Sequence, residues 1–218
     1  SINFENLSPG LHYIRVVLYG YSDDPITDEF LQSFYILDGI TQHIYTDFED
    51  TVENGLPNGW NSYSNGQGWY VSDNPYFEFW TAEPGVGNVI ISNDDAADNN
   101  GVNEDYNDGS ADYLNLPILD FTSFGGPVAL EFGSYFTGQW NQSAHLNYSL
   151  DGGYSWNRMT DIGGGAQWQR QYIDLSDFEN YDSVILGFHS DDNGGWGSGW
   201  ILDDIAIIDA YETTISLN

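Results

Sequence analysis

Apolar residues in this chain recur at every second position, in short runs that end at glycine-containing turns. That period belongs to half-buried strands, whose side chains alternate between two faces. A helix would need an apolar stripe every three or four residues. The runs cover residues 11–19 (LHYIRVVLY), 29–37, 88–92 (NVIIS), 113–119, 128–136 (VALEFGSYF), 145–150, 169–175, 184–189 and 200–208. Asn58-Gly59, Asn65-Gly66, Asp108-Gly109 and Asp151-Gly152 are turn dipeptides between them. Many short antiparallel strands with long connections predict an all-β fold, a jelly-roll β-sandwich.

Charge narrows the partners. The chain carries 34 acidic residues against 3 basic ones, a formal net charge of -31, and its only cations are Arg15, Arg158 and Arg170. Nucleic acid is excluded as a partner, because phosphates need a positive patch. An anionic membrane surface would repel the protein, and no apolar stretch approaches the length of a membrane span. Such acidity often accompanies disorder, but 40% of the residues are hydrophobic and 17% aromatic, enough apolar surface to offset the entropy of ordering. Cysteine is absent, which removes thiolate metal centres, cysteine nucleophiles and disulfides. With one methionine as well, the composition suits an exported protein, secreted or at a cell surface. The start of the chain reads as that of a mature product or an excised piece of a longer one.

Residues 1–44 differ from the remainder. The stretch NLSPGLHYIRVVLY, a Pro-Gly turn running into a strand, is similar to the closing strands of an immunoglobulin-like or fibronectin-like module. We expect it to be the tail of such a module, followed by a sandwich over 45–210 and a C-terminal linker over 211–218.

Four motifs inside 45–210 fall in a telling order. Asp47-Phe48-Glu49 leads into Gly55-Leu56-Pro57-Asn58-Gly59-Trp60. Ser92-Asn93-Asp94-Asp95 leads to Ala111-Asp112-Tyr113-Leu114-Asn115-Leu116-Pro117. Next comes the hairpin segment Tyr148-Ser149-Leu150-Asp151-Gly152-Gly153-Tyr154-Ser155-Trp156, and last the strand Trp200-Ile201-Leu202-Asp203-Asp204-Ile205-Ala206-Ile207. Together they resemble the cleaved-adhesin, or choice-of-anchor J, domains, MAM-like jelly rolls of secreted and surface proteins, especially of Bacteroidota. The resemblance implies a module of a larger secreted chain, working beside other domains of its parent.

Asp203 and Asp204 sit inside an otherwise apolar strand, where alternation gives both faces strong apolar neighbours. At least one carboxylate should be partly buried and in need of a countercharge that three arginines scarcely provide. Calcium, a hard cation taking oxygen ligands, is the expected substitute. On the resemblance, Glu49 would join from the start of the domain and Asn93, Asp94 or Asp95 from the loop after NVIIS. That acidic loop is no EF-hand, since Ala96 stands where the first ligand belongs and Asn107 where the bidentate Glu belongs.

Ser149-x-Asp151-x-Gly153-x-Ser155-Trp156 nearly matches the Asp-box of sialidases, a hairpin-folding device in which Asp accepts turn hydrogen bonds and Trp packs beneath. A single copy cannot make a propeller. No metalloprotease, serine-hydrolase or phosphate-loop motif is present, and His12, His43, His145 and His189 lack ligand spacing. The aromatics Trp140, Trp196 and Trp200 flank Gly-rich segments and are candidates for stacking on a sugar. The expected function is a non-catalytic, calcium-binding accessory or adhesion module that attaches to an extracellular polysaccharide or protein ligand. The alternative is a carbohydrate-binding module using exposed tryptophans.

Overall fold

The computed structural model describes residues 10–19, 25–36, 42–52, 55–65, 68–73, 87–93, 111–165, 167–195 and 197–210, with side chains from 43 onward. The chain divides into two compact units, residues 42–210 forming one of them. In the other, strands β1 (Gly10–Tyr19) and β2 (Pro25–Ile36) pair antiparallel, from Gly10 opposite Ile36 to Tyr19 opposite Pro25. This strand pair falls within the segment expected to be the tail of an immunoglobulin-like or fibronectin-like module. Among the described residues no helix is long and apolar enough to cross a membrane.

The second unit is a jelly-roll β-sandwich. Its strands are β3 (Gln42–Thr46), β4 (Asn61–Ser64), β5 (Trp69–Ser72), β6 (Val89–Ser92), β7 (Ala111–Asn115), β8 (Val128–Phe136), β9 (Ser143–Ser149), β10 (Asn157–Asp161), β11 (Trp168–Asp174), β12 (Ile185–Asp191) and β13 (Trp200–Asp209). One sheet runs β10-β9-β12-β7-β4 and the other β11-β8-β13-β6-β5, with β3 also paired to β13. From β6 onward the chain mostly passes from one sheet to the other between strands. Because Ile44 of β3 lies opposite Ile207 of β13, the sandwich begins at residue 42, and the expected boundary at 44/45 cuts through its first strand. The run at 113–119 is shorter than its alternation suggests: Pro117 has no N–H to give a ladder, and only Leu119 rejoins, bridging to Val184.

The inner faces meet in one apolar core. Leu114, Leu146, Leu186 and Phe188 of the five-stranded sheet pack against Ile90, Phe132, Trp200 and Leu202 of the other, all fully buried. Phe188 stands edge-on to Phe132 at 5.0 Å and to Trp200 at 5.7 Å between ring centroids. Trp200, read above as a candidate sugar platform, is thus a core residue, and its Nε1 donates to Ser134 Oγ at 2.9 Å. A smaller cluster of Val89, Ile91, Tyr135 and Ile201 occupies the other side of the six-stranded sheet.

Strict alternation along β13 fails at one place. Asp203 lies opposite Gly133 of β8 and Ala206 opposite Glu131, so β13 carries an extra residue there, with Asp204 at φ 49. The bulge resets the phase: Trp200 and Leu202 point inward before it, Ile205 and Ile207 after it. Alternation would have sent Asp204 into the core with Leu202. The bulge keeps both carboxylates out, at the cost of a left-handed backbone.

Trp200→Ala should lower stability by about 3–5 kcal/mol, read from urea denaturation. Trp140→Ala, on an exposed turn, should change it by less than about 0.5 kcal/mol. Near-equal effects would place Trp200 wrongly.

Candidate functional site

The outer face of the five-stranded sheet carries two rows of side chains running across the strands. Alternation sends Leu114, Leu146, Leu186 and Phe188 inward, so their neighbours in sequence must face out. Register then aligns those neighbours. Tyr63 of β4 lies opposite Tyr113 of β7, Tyr113 opposite His189 of β12, His189 opposite His145 of β9, and His145 opposite Asp161 of β10. The second row is Asn61, Asn115, Gly187, Asn147 and Arg158.

The first row is aromatic and in contact throughout. Tyr63 and Tyr113 are 6.0 Å apart by ring centroids, Tyr113 stacks on His189 at 4.1 Å and 15°, and His189 meets His145 edge-on at 5.4 Å. Tyr63, on the edge strand, is 69% exposed. Burial pushes the His189 imidazole down to about 4, so the ring is neutral at physiological pH; Asp191, 3.5 Å away, only partly opposes this. Burial also lowers His145, aided by the Arg158 guanidinium, which lies 2.8 Å from its Nε2. Asp161 accepts from Arg158 at 3.2 Å, so the one cation near the row is spoken for.

The second row leaves a gap at Gly187, and Trp156 fills it. A Cβ at Gly187 would lie 2.9 Å from the Trp156 ring and 2.8 Å from Asn115 Oδ1, so only glycine fits. Trp156 arrives there through the β9–β10 turn, where the expected hairpin device is formed. Asp151 Oδ1 accepts from Ser149 Oγ at 2.8 Å and from the Ser155 N–H at 2.9 Å, and Oδ2 accepts from Ser155 Oγ at 2.6 Å. These bonds hold the Asp151 carboxyl down to about 2, while Trp156 Nε1 donates to the Gly153 carbonyl at 3.1 Å. Rows and hairpin enclose a cleft of about 640 Å³, lined by Tyr63, Tyr113, Trp156 and His189, by the amides of Asn61, Asn115 and Asn147, and by Gly152, Gly153 and Ile185. Such a surface offers flat apolar faces beside side chains that both donate and accept.

A second constellation lies at the β13 bulge. Phe48, at φ 61 and fully buried, plugs its loop into the core and leaves its neighbours Asp47 and Glu49 outside. Glu49 Oε1 accepts from the Asn88 N–H at 2.9 Å, and Gly87 beside it has φ +83, a left-handed backbone that favours glycine. Asp203 is pushed up to about 7, first by burial and then by the charges of Asp204, Glu49 and Asp47. Tyr45 donates to Asp204 Oδ1 at 3.0 Å, and Arg170 bridges Asp204 at 3.4 Å and Glu131 at 2.8 Å. The donor set is all hard oxygen, as calcium requires. Among the described residues no three acidic or histidine side chains converge into a ready-made metal cage.

Of the residues singled out from sequence, Glu49, Asp203 and Asp204 come together here, joined by Asp47. Asn93 does not. Antiparallel pairing sets Trp200 opposite Ser92 and Leu202 opposite Ile90, so Asn93 falls at the far end of β6 from Asp203. There its Nδ2 donates to the Tyr70 hydroxyl at 3.1 Å, beside buried Asp112, which accepts from Ser92 Oγ at 2.8 Å and from Ser64 Oγ. Asp94, Asp95 and Trp196 lie outside the described residues. Trp140 is 44% exposed and stands apart from the cleft. The cleft residues themselves escaped notice, although alternation around Leu114, Leu146 and Phe188 already marks Tyr113, Asn115, Asn147 and His189 as outward-facing.

No family model and no curated protein matches the chain by sequence. In fold it is similar to the K1 cleaved adhesin domain of Lys-gingipain from Porphyromonas gingivalis, with 16% identity over 77% of this chain and 98% of that one, at a TM-score of 0.49. It is also similar to the CBM22-1 xylan-binding domain of Paenibacillus barcinonensis Xyn10C, with 11% identity over 81% and 100%, at 0.47. A third similar structure is TmCBM61 in complex with β-1,4-galactotriose, with 10% identity over 70% and 90%, at 0.42. Cleaved adhesin domains, the group its sequence motifs resemble, are thus among the solved structures it is similar to.

The neutral His189 has a thermodynamic signature. In the unfolded chain its ring titrates near 6.5, so between about 6.5 and about 4 the unfolded state binds the extra proton. Stability therefore falls as the pH drops across that window. His189→Gln should remove this component, and the gap in melting temperature between parent and variant should shift in the variant's favour from pH 7 to pH 4. A gap independent of pH would contradict the burial of His189.

Proposed function

We propose that this protein is a non-catalytic attachment module of an extracellular protein, and that it holds a carbohydrate in the cleft on the outer face of its five-stranded sheet. The observation that carries this reading is the coincidence of aromatic faces and amide side chains on a surface the core does not use. Pyranose rings present an apolar face that stacks on Tyr and Trp, and hydroxyls that bond to amides. The lining contains neither a carboxylate pair nor an activated nucleophile, which favours binding over hydrolysis. An uncharged, cysteine-free binding face suits a secreted or surface-attached chain.

A second proposal concerns calcium. Asp47, Glu49, Asp203 and Asp204 crowd the bulge of β13, with Arg170 as their one cationic neighbour among the described residues. Calcium would supply the missing countercharge and tie the loop around Phe48 to the last strand. An ion that binds only the folded state adds about 2.7 kcal/mol at a hundredfold excess over its Kd.

Two measurements follow. Tyr63→Ala and Trp156→Ala should each weaken binding to a glycan ligand by about tenfold or more in calorimetric titration, as truncating aromatic anchors does. Unchanged affinity in both would remove the cleft from consideration. Separately, chelation should lower the melting temperature; calcium should restore it, with magnesium much less effective because it dehydrates reluctantly and prefers a strict octahedron. Glu49→Gln with Asp204→Ala should abolish the response. Full restoration by sodium chloride at matched ionic strength would mean simple screening and no site.

A further inference from the structure

Resting on the reading of the cleft as a carbohydrate site, we infer that its ligand is an uncharged oligosaccharide lying across several strands, and that acidic glycans are rejected. About one residue in six of this chain is acidic, yet none of the ten described residues that line the cleft is. Outward-facing strand positions are where a soluble chain normally places its charges. Here they carry Asn, Tyr, Trp and Gly instead.

An anionic sugar, whether a uronate or a sulfate ester, needs a cation or a set of free N–H donors. The row ends at Arg158, which is already shared between His145 at 2.8 Å and Asp161 at 3.2 Å. His189 is neutral, so it supplies no charge either. Around the cleft the sign is wrong for an anion: Asp151 stays ionised above about pH 2, Asp191 lies next to His189, and the whole chain carries -31. A neutral polyhydroxyl ligand meets none of these penalties. Amides suit it, because a hydroxyl both donates and accepts and so does an Asn side chain.

The extent of the cleft sets the size of the ligand. Its lining residues come from β4, β7, β12 and β9, neighbours in that order. Three strand spacings make about 14 Å, longer than a single sugar ring. On the β4 side the sheet ends at exposed Tyr63, so nothing in the sheet closes the cleft there.

The test is a titration of the protein, in saturating calcium, against two groups of probes at low and high sodium chloride. One group is neutral: xylo-, gluco-, manno- and galacto-oligosaccharides from the monosaccharide upward. The other is acidic: polygalacturonate, alginate and chondroitin sulfate. We expect at least one neutral series to bind, with affinity rising about tenfold or more between monosaccharide and trisaccharide as successive rings reach Tyr63 and Trp156. Binding should change less than twofold with salt, since screening acts only on charge. Tyr63→Ala, an exposed edge substitution that leaves the core intact, should reverse the gain from chain length, and Trp156→Ala should weaken every member. An acidic glycan binding as tightly as the neutral ones, and losing affinity in Trp156→Ala, would overturn the inference about charge and leave the cleft standing. A series in which the monosaccharide binds as well as the trisaccharide would overturn the inference about length. Failure of every probe of both groups would bring down the carbohydrate reading itself.

Discussion

The contact of Phe188 with Phe132 and Trp200 joins the two sheets, and the rest of the sandwich is arranged around it. Strands β7, β9 and β12 turn Leu114, Leu146, Leu186 and Phe188 inward around that contact, so alternate positions of these strands face away from the core. They could have carried charge, as the chain does so freely elsewhere. Instead Tyr63, Tyr113 and His189 form a contacting row, and Trp156 lies over Gly187 beside the amides of Asn115 and Asn147. Tyr63, held on an edge strand with most of its surface in water, contributes little to folding. Its position makes sense as part of a binding face.

The other sheet shows the opposite economy, with both of its faces carrying apolar clusters, so its central strand β13 has nowhere to put a carboxylate. The bulge at Asp203 and Asp204 solves this locally. It adds one residue, lets Asp204 take a left-handed φ of 49, and brings Ile205 back into phase with the core. Two carboxylates then project at one place on the sheet, next to the pair that Phe48 presents from the first loop. Burial first, and then the charges of Asp204, Glu49 and Asp47, push the Asp203 carboxyl up to about 7.

Sequence periodicity was enough to recognise an all-β sandwich, because alternation around residues such as Leu130 and Leu186 survives in any register. That Glu49 lies near the Asp203-Asp204 pair was legible from the resemblance alone, through the order of its four motifs. Three things were not legible. Strands β3, β4, β5 and β10 are short, and alternation in four or five residues is indistinct. The bulge leaves the composition of β13 unchanged, so strict alternation misplaced Asp204. Cross-strand register was the third, and it decided the site. The resemblance set Asn93 beside Asp203, but the antiparallel ladder sends them to opposite ends. The ladders of the other sheet assemble Tyr63, Tyr113 and His189, which lie far apart in sequence.

In the proposed carbohydrate site, Trp156 would serve folding and binding together. The Asp151 carboxylate, with its bonds to Ser149 and Ser155, closes the β9–β10 turn, and a closed turn fixes where the indole lies. Its Nε1 is bound to the Gly153 carbonyl, and one face of the ring rests on Gly187, where a methyl group would leave no room. An aromatic platform fixed on two sides has little rotamer freedom left to lose when a ligand arrives, so more of the stacking energy remains as affinity. What the tryptophan adds is a rigid apolar surface, set between two asparagines, at the one point in the amide row where the strand has no side chain of its own.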